Sequence, residues 1–265
     1  MIFGLFSVGI TIAFLVGSLG LLNYGRQLGL RYLRKDGGEK MAGLSAVEGA
    51  VFTLIGLLVA FTVSGALQRF DERRQLVVQE ANAVTVAYDR LGLFEADVAH
   101  ELRSKLKDYV DARIELYRMP HDFSAWQGTE VWSRGHQKKI AEFKTKIWDA
   151  AIAACPKDSF RPACSLSLPA LNSAFEVAQL RLGAAEKHPP QIIYVMLFGL
   201  GLGGSLLAGF GMAAAKARSW IHMVVFAATL AATLYVITDM EFPRLGLVRV
   251  EDFDHFLIDA YGQMQ

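Results

Sequence analysis

The chain has 265 residues, 53% of them hydrophobic and 20% charged, and the charges are segregated: the stretches 2–24, 44–67, 191–215 and 220–238 hold only Glu48. Four long runs of this kind exclude a single soluble globular domain, and 24 Gly, 7 Pro and 2 Cys exclude collagen-like, low-complexity and disulfide-framework classes. A formal charge of +1 offers nucleic acid no footprint, so the expected partner is the lipid bilayer.

A helix of about 20 residues crosses a ~30 Å hydrocarbon core. The first run, Ile2 to Tyr24, is long enough, lacks a basic leader and has no A-x-A-like site before Arg26, so it reads as a retained anchor and not a cleaved signal. The second, Leu44 to Leu67, carries Glu48, Thr53, Thr62 and Ser64 among aliphatic residues. No turn residue separates Leu67 from Phe70, so this helix is expected to continue through Leu91, with Gly92 interrupting it. Further helical periodicity covers Glu95 to Tyr117 and a third amphipathic helix through Val131, Ile140, Ile147 and Ile152. A fourth is expected to open at Pro169 and run through Leu171, Phe175, Ala178 and Leu182 until Pro189-Pro190 ends it. The third and fourth spans, Gln191 to Ala215 and Trp220 to Thr238, are separated by Lys216 and Arg218 and read as a tight hairpin. In the tail, Glu251 or Asp252 is expected to cap a short helix presenting Phe253, Phe256, Leu257 and Ala260.

The expected fold is an all-α integral membrane protein with four transmembrane helices. Residues 1–67 hold spans one and two, 68–190 an extramembrane helical bundle, 191–238 the hairpin of spans three and four, and 239–265 the tail. The loop after the first span (Arg26, Arg31, Arg34, Lys35, Lys40) and the loop between the last two (Lys216, Arg218) are basic, which places both inside. The helical domain and both termini are then expected outside. Cys155 and Cys164 bracket a short Pro-containing loop in that domain. They read as a disulfide, the other reading being two unrelated thiols, and neither spacing nor neighbours make a zinc site.

No catalytic, cofactor-binding or metal constellation is present. Gly199-Leu-Gly201-Leu-Gly203-Gly204 matches GxGxxG in letters only, because it lies inside a charge-free helix; close packing through Gly199/Gly203 and Ser205/Gly209 is expected there. On the second span Glu48, Phe52, Ile55, Val59, Thr62 and Ala66 share a face, beside a small or polar face of Gly49, Thr53, Gly56, Ala60 and Ser64. In a symmetric oligomer the first face is a candidate pore lining; the other reading has the small face packing on a helix and the aliphatic face meeting lipid. Glu48 is either functional or interfacial, lying only four residues into the run. Arg69, Asp71, Arg73, Glu80 and Asn82 are candidate charges at the pore mouth, and Asp239, Glu241 and Arg244 are candidate partners in a structural clamp with Arg69 or Arg73.

Two segments carry a resemblance. Phe52 to Ser64 with Arg69-Phe-Asp-Glu-Arg-Arg-Gln-Leu-Val-Val-Gln-Glu-Ala-Asn-Ala83, and Asp239-Met-Glu-Phe-Pro-Arg-Leu-Gly-Leu-Val-Arg-Val250, resemble the bacterial bestrophin-like membrane proteins of unknown function (the DUF4239 family). The resemblance spans both ends of the chain and leaves 119–165 aside. It implies kinship to bestrophins, which are pentameric anion channels with four spans per subunit, and hence a multi-pass protein of the bacterial inner membrane. It also implies cytoplasmic termini, whereas the short-loop charges put them in the periplasm. The leading expectation is a homo-oligomeric channel for an inorganic ion, an anion slightly favoured, lined by the second span of each subunit. The alternative is a non-conducting scaffold or sensor that binds an envelope partner through the helical domain. An enzyme ranks last.

Overall fold

A computed structural model describes residues 2–36, 41–117, 126–155, 162–215, 219–241 and 254–264. These residues form eight α-helices and a short 3₁₀ turn, with no strand among them: α1 Ile2–Asp36, α2 Met41–Leu91, α3 Ala96–Tyr117, α4 Trp126–Ala153, α5 Pro162–Glu186, α6 Gln191–Gly211, α7 Trp220–Glu241 and α8 His255–Gln263. Four helical segments are long and apolar enough to cross a membrane, and the chain is an integral membrane protein. It divides into two compact units, Met1–Gln68 with His188–Val248 and Arg69–Lys187 with Arg249–Gln265.

In the first unit, α1 is the organising helix. It packs along α6, and more lightly against α7, because glycines let backbones meet. A methyl group at Gly25 would fall on the Leu206 carbonyl, and one at Gly209 on the Leu22 carbonyl. Phe14 fills the space over Gly201, where a methyl group would lie 2.8 Å from its Cζ. Leu22, Met223 and Ala227 form one apolar cluster, and Phe14, Leu197, Ala231, Leu234 and Ile237 another. The expected pairing of the last two spans is therefore secondary, since α6 is seated mainly on α1. The glycine register also differs from expectation. Ser205 and Gly209 are buried as the small-residue spacing required, but Gly199 and Gly203 are exposed and meet nothing. From Arg26 to Lys35 the basic stretch after the first span is helical too, because α1 continues to Asp36; Gly29 lies against Phe210 and the Tyr32 ring stands 5.9 Å from the Phe210 ring.

The second unit is a helical bundle around Leu91, Leu102, Leu106, Tyr109, Ile147, Leu171 and Phe175. α2 ends where expected: the Gly92 and Leu93 N–H groups return to the Asp89 and Arg90 carbonyls, and Arg103 Nε caps the Tyr88 carbonyl at 3.1 Å. α5 does not open at Pro169. It starts at Pro162, which suits a first-turn position, and contains Pro169 within it. Pro169 has no N–H for the Ser165 carbonyl, so the first turns are held from outside: Ser167 Oγ donates to the Arg90 carbonyl at 2.8 Å and Arg90 Nη1 to the Leu166 carbonyl at 3.1 Å. A Cys155–Cys164 disulfide, with Cα atoms 5.9 Å apart, ties this start to the end of α4. α8 buries Leu257 and Ala260 in the same core, joined by Met264 just beyond its end, while Phe256 is exposed; its N-cap position is Asp254, and Glu251, Asp252 and Phe253 lie outside the described residues.

Candidate functional site

Along the membrane part of α2, one face is packed on its own chain. Ile55 is 7% exposed, and a methyl group at Gly204 of α6 would lie 2.9 Å from its Cδ1. The Phe52 ring meets Phe226 of α7 edge-on at 6.0 Å, Val59 packs on the Phe14–Leu234 cluster, and Thr62 is buried with its hydroxyl turned back onto the Leu58 carbonyl at 2.7 Å. Ala66 is fully buried. For Ile55, Thr62 and Ala66 this burial runs against a water-facing position, because sealing the helix bundle of their own subunit uses the surface they would offer. Phe52, Val59 and Glu48 are half-buried. Glu48 rests on the last turn of α6, where a methyl group at Gly211 would lie 2.7 Å from its Oε2.

The rest of the α2 surface stands open. Gly49, Thr53, Leu54, Gly56, Leu57, Ala60, Phe61, Ser64, Leu67 and Gln68 are exposed, Phe61 at 67%. The small face expected to pack on a neighbouring helix is thus free of its own chain, with no atom within 4 Å of a methyl group at Gly49 or Gly56. A membrane helix leaves such a surface for lipid, for another subunit or for a water-filled path.

The expected mouth charges separate into different roles. Asn82 is exposed, and Asp71 pairs with Arg74 at 3.5 Å. Arg73 is buried: its Nε donates to the Ala184 carbonyl at 3.0 Å and its Nη2 to the Lys187 carbonyl at 2.8 Å, placing a cation at the negative end of α5. Beside it, Lys187 Nζ is 2.9 Å from Glu72 Oε1.

Glu80 lies deepest. Its exposure is 0%, and it is a core residue instead of a mouth residue, because two arginines meet it there. Arg113 Nε donates to Oε1 at 2.8 Å, and Arg181 Nη1 donates to Oε2 at 2.8 Å. Arg113 also donates to the Ala178 carbonyl at 3.0 Å and to the Tyr117 hydroxyl, while Arg181 lies 3.6 Å from the centre of the Tyr117 ring and donates to Asp254. Burial pushes the Glu80 carboxyl up, but the charges of Arg113 and Arg181 and their hydrogen bonds outweigh it and hold the group below its ordinary value. Burial likewise opposes the Arg113 charge, and Glu80 overcomes it. The sequence did hold a signal for the two arginines: Arg113 falls in the stripe Leu106, Tyr109, Tyr117, and Arg181 in the stripe Phe175, Ala178, where apolar residues belong.

Of the clamp residues, Asp239 and Glu241 are buried at the end of α7, with His188 Nδ1 3.8 Å from Glu241 Oε2; Arg244 lies outside the described residues. Among the described residues no group of His, Cys, Asp and Glu is arranged to hold a metal ion.

Residues 42–253 match the model of the bestrophin-like domain. The chain belongs to the bestrophin-like family. The fold agrees: a mutant of the bacterial bestrophin homologue from Klebsiella pneumoniae is similar with a TM-score of 0.67 at 14% identity, covering 96% of this chain and 99% of that one. Another crystal structure of the Klebsiella pneumoniae homologue gives 0.64 at 14% identity over 95% and 98%. A crystal structure described as a membrane protein gives 0.63 at 14% over 94% and 99%. No curated protein matches. In this bestrophin-like chain the family match takes in the open surface of α2 together with Glu80, Arg113 and Arg181, and it stops one residue short of Asp254.

Proposed function

We propose that this bestrophin-like protein is one subunit of a homo-oligomeric ion channel in the bacterial inner membrane, with α2 of each subunit lining the axial path. The observation that carries the proposal is the surface of α2 from Thr53 through Leu57 and Phe61 to Ser64 and Gln68. It is long, exposed and broken by small residues, while the opposite face is committed to α6 and α7. Membership of the bestrophin-like family and the four spans support it. In this arrangement Leu57 and Phe61 form an apolar constriction and Thr53, Ser64 and Gln68 supply polar edges, the pattern of a pore that closes by dewetting. Of the lining first expected, Glu48, Phe52 and Val59 keep partial exposure and sit at its flank. An anion is slightly favoured: the stretch in which α2 leaves the span, Arg69 to Arg74, carries one more positive than negative charge, with the buried Arg73 acting through its field and not at the mouth.

Purified oligomers in planar bilayers test this. A chloride gradient is expected to set the reversal potential, and Phe61→Ala is expected to raise unitary current several-fold. Absence of current with chloride, potassium and sodium salts would sink the channel reading. It would favour the scaffold alternative, for which exposed Leu93, Ile152, Leu166 and Leu180 on the helical unit offer a surface.

A further inference from the structure

We infer that the end of α1 from Tyr24 to Arg34 is a docking surface for anionic phospholipid, whose headgroup phosphate is held by Arg26, Arg31 and Arg34 at the edge of the bilayer. The inference does not rest on conduction, and it asks only for a phosphate-bearing leaflet beside this edge.

The position of α1 comes first. On α6, Gly209 meets Leu22 of α1, while Gly211, about 200° round the helix, meets Glu48 of α2. α1 therefore stands on the far side of α6 from α2. Its open stripe is Ile12, Val16, Gly20 and Tyr24, apolar over three turns and exposed, Val16 at 63%. A stripe of that composition belongs against acyl chains.

The same stripe then changes chemistry without leaving the helix. Gln27, Arg31 and Arg34 follow Tyr24 at steps of three and four, all exposed, because α1 runs unbroken to Asp36. Arg26 extends a second row. Leu15, Leu19 and Leu22 pack beside Met223 and Ala227 of α7, and Arg26 is the next residue in that series, half-buried. The row brings the start of α7 level with Arg26, so Trp220 and Tyr24, each more than half exposed, stand as interfacial aromatics on one edge.

None of these three arginines makes a hydrogen bond or ion pair with a described residue. The cations where α2 leaves the span differ. Arg73 is held by the Ala184 and Lys187 carbonyls, Arg74 by Asp71 and Lys187 by Glu72. Over the whole connection Arg26, Arg31, Arg34, Lys35 and Lys40 stand against Asp36 and Glu39, so positive charge prevails. A guanidinium matches phosphate oxygens two at a time, and each basic residue beside an anionic bilayer strengthens binding about fivefold. Uncommitted cations beside an acyl-facing stripe and two aromatic anchors fit an anion that carries its own hydrocarbon.

The test measures the lipid selectivity of the purified full chain in phosphatidylcholine bilayers, by electron spin resonance of chain-labelled phosphatidylglycerol and phosphatidylcholine. Phosphatidylglycerol is expected to associate several-fold more strongly, with salt reducing the ratio. Arg26→Gln/Arg31→Gln/Arg34→Gln is expected to bring the ratio close to one, while Lys138→Gln, at an exposed position of α4, leaves it unchanged. If circular dichroism shows the triple variant unfolded, Arg31→Gln/Arg34→Gln replaces it, since both side chains are exposed, and is expected to lose most of the selectivity. No preference in the unaltered chain, or a preference that survives the arginine replacements, would overturn the inference. Inorganic phosphate that abolishes selectivity where sodium chloride of equal ionic strength does not would assign the arginines to a soluble anion, and overturn it too.

Discussion

Arg113 Nε donates to Glu80 Oε1 across 2.8 Å, and neither side chain has more than 2% of its surface in contact with water. Arg181 takes the other oxygen of the same carboxylate, so a single anion holds together α2, α3 and α5. Removing one member of a buried ionic set leaves the others uncompensated, which typically costs about 3–5 kcal/mol. Glu80→Gln keeps the shape and deletes the charge. It is expected to lower the thermal midpoint of the detergent-solubilised protein by many degrees, read by circular dichroism; an unchanged midpoint would refute the central role given to Glu80.

The same carboxylate sets the acid response. Glu80 sits below its ordinary value of 4.5 in the folded chain because the two guanidiniums outweigh burial. A group whose folded value is depressed stabilises fully above its unfolded value and loses that contribution as pH falls through the folded one. Stability from this source is therefore expected to be flat through neutral and mildly acidic pH and to decline below about pH 4 to 5. Glu80→Gln should remove that part of the slope, as followed in melts across an acid series.

Glycines in α6 and α1 should divide into two classes. Gly25→Ala and Gly209→Ala push a methyl group into backbone carbonyls that cannot rotate aside, at a cost of roughly 1–3 kcal/mol or more. Gly199→Ala and Gly203→Ala meet open space and should be neutral, or more stable by up to about 1 kcal/mol through helix propensity. Thermal shift assays on the four variants decide; equal losses would contradict the α1–α6 register.

Cysteine scanning tests which face of α2 meets water. In a background without native cysteines, Thr53→Cys, Leu57→Cys and Phe61→Cys are expected to react with a charged thiosulfonate and reduce current. Ile55→Cys and Ala66→Cys should be inert, because both positions are buried within their own subunit. Reactivity at Ile55 and Ala66 alone would restore the lining that sequence periodicity suggests.

Much of the fold is legible in the residues. Absence of charge marks the spans, apolar spacing marks α2 through Leu91 and α3 through Tyr117, and proximity in sequence pairs Cys155 with Cys164. What periodicity does not specify is direction. The face through Phe52, Ile55 and Thr62 and the face through Thr53, Gly56 and Ser64 are equally regular, and only the positions of α6 and α7 show which is taken. Gly25 and Gly29 escape notice because they follow the charge-free run, beside Arg26, yet they sit on the packed side of α1. Pro169 misleads because a proline suits a helix start, and Pro162 already fills that place. Glu80 reads as a surface charge until two arginines, 33 and 101 positions away, are brought to it by the bundle.

The tie between Arg181 and Asp254 has a consequence for biosynthesis. As translation proceeds, Glu80 emerges before Arg113, and their charges cancel; Arg181 then adds a cation whose counter-charge lies more than seventy codons downstream. A nascent bundle that collapsed early would entomb one unbalanced guanidinium. Maturation of this interior is therefore expected to finish only once residue 254 has left the ribosome, and messages cut short before that point should yield chains that quality-control proteases clear.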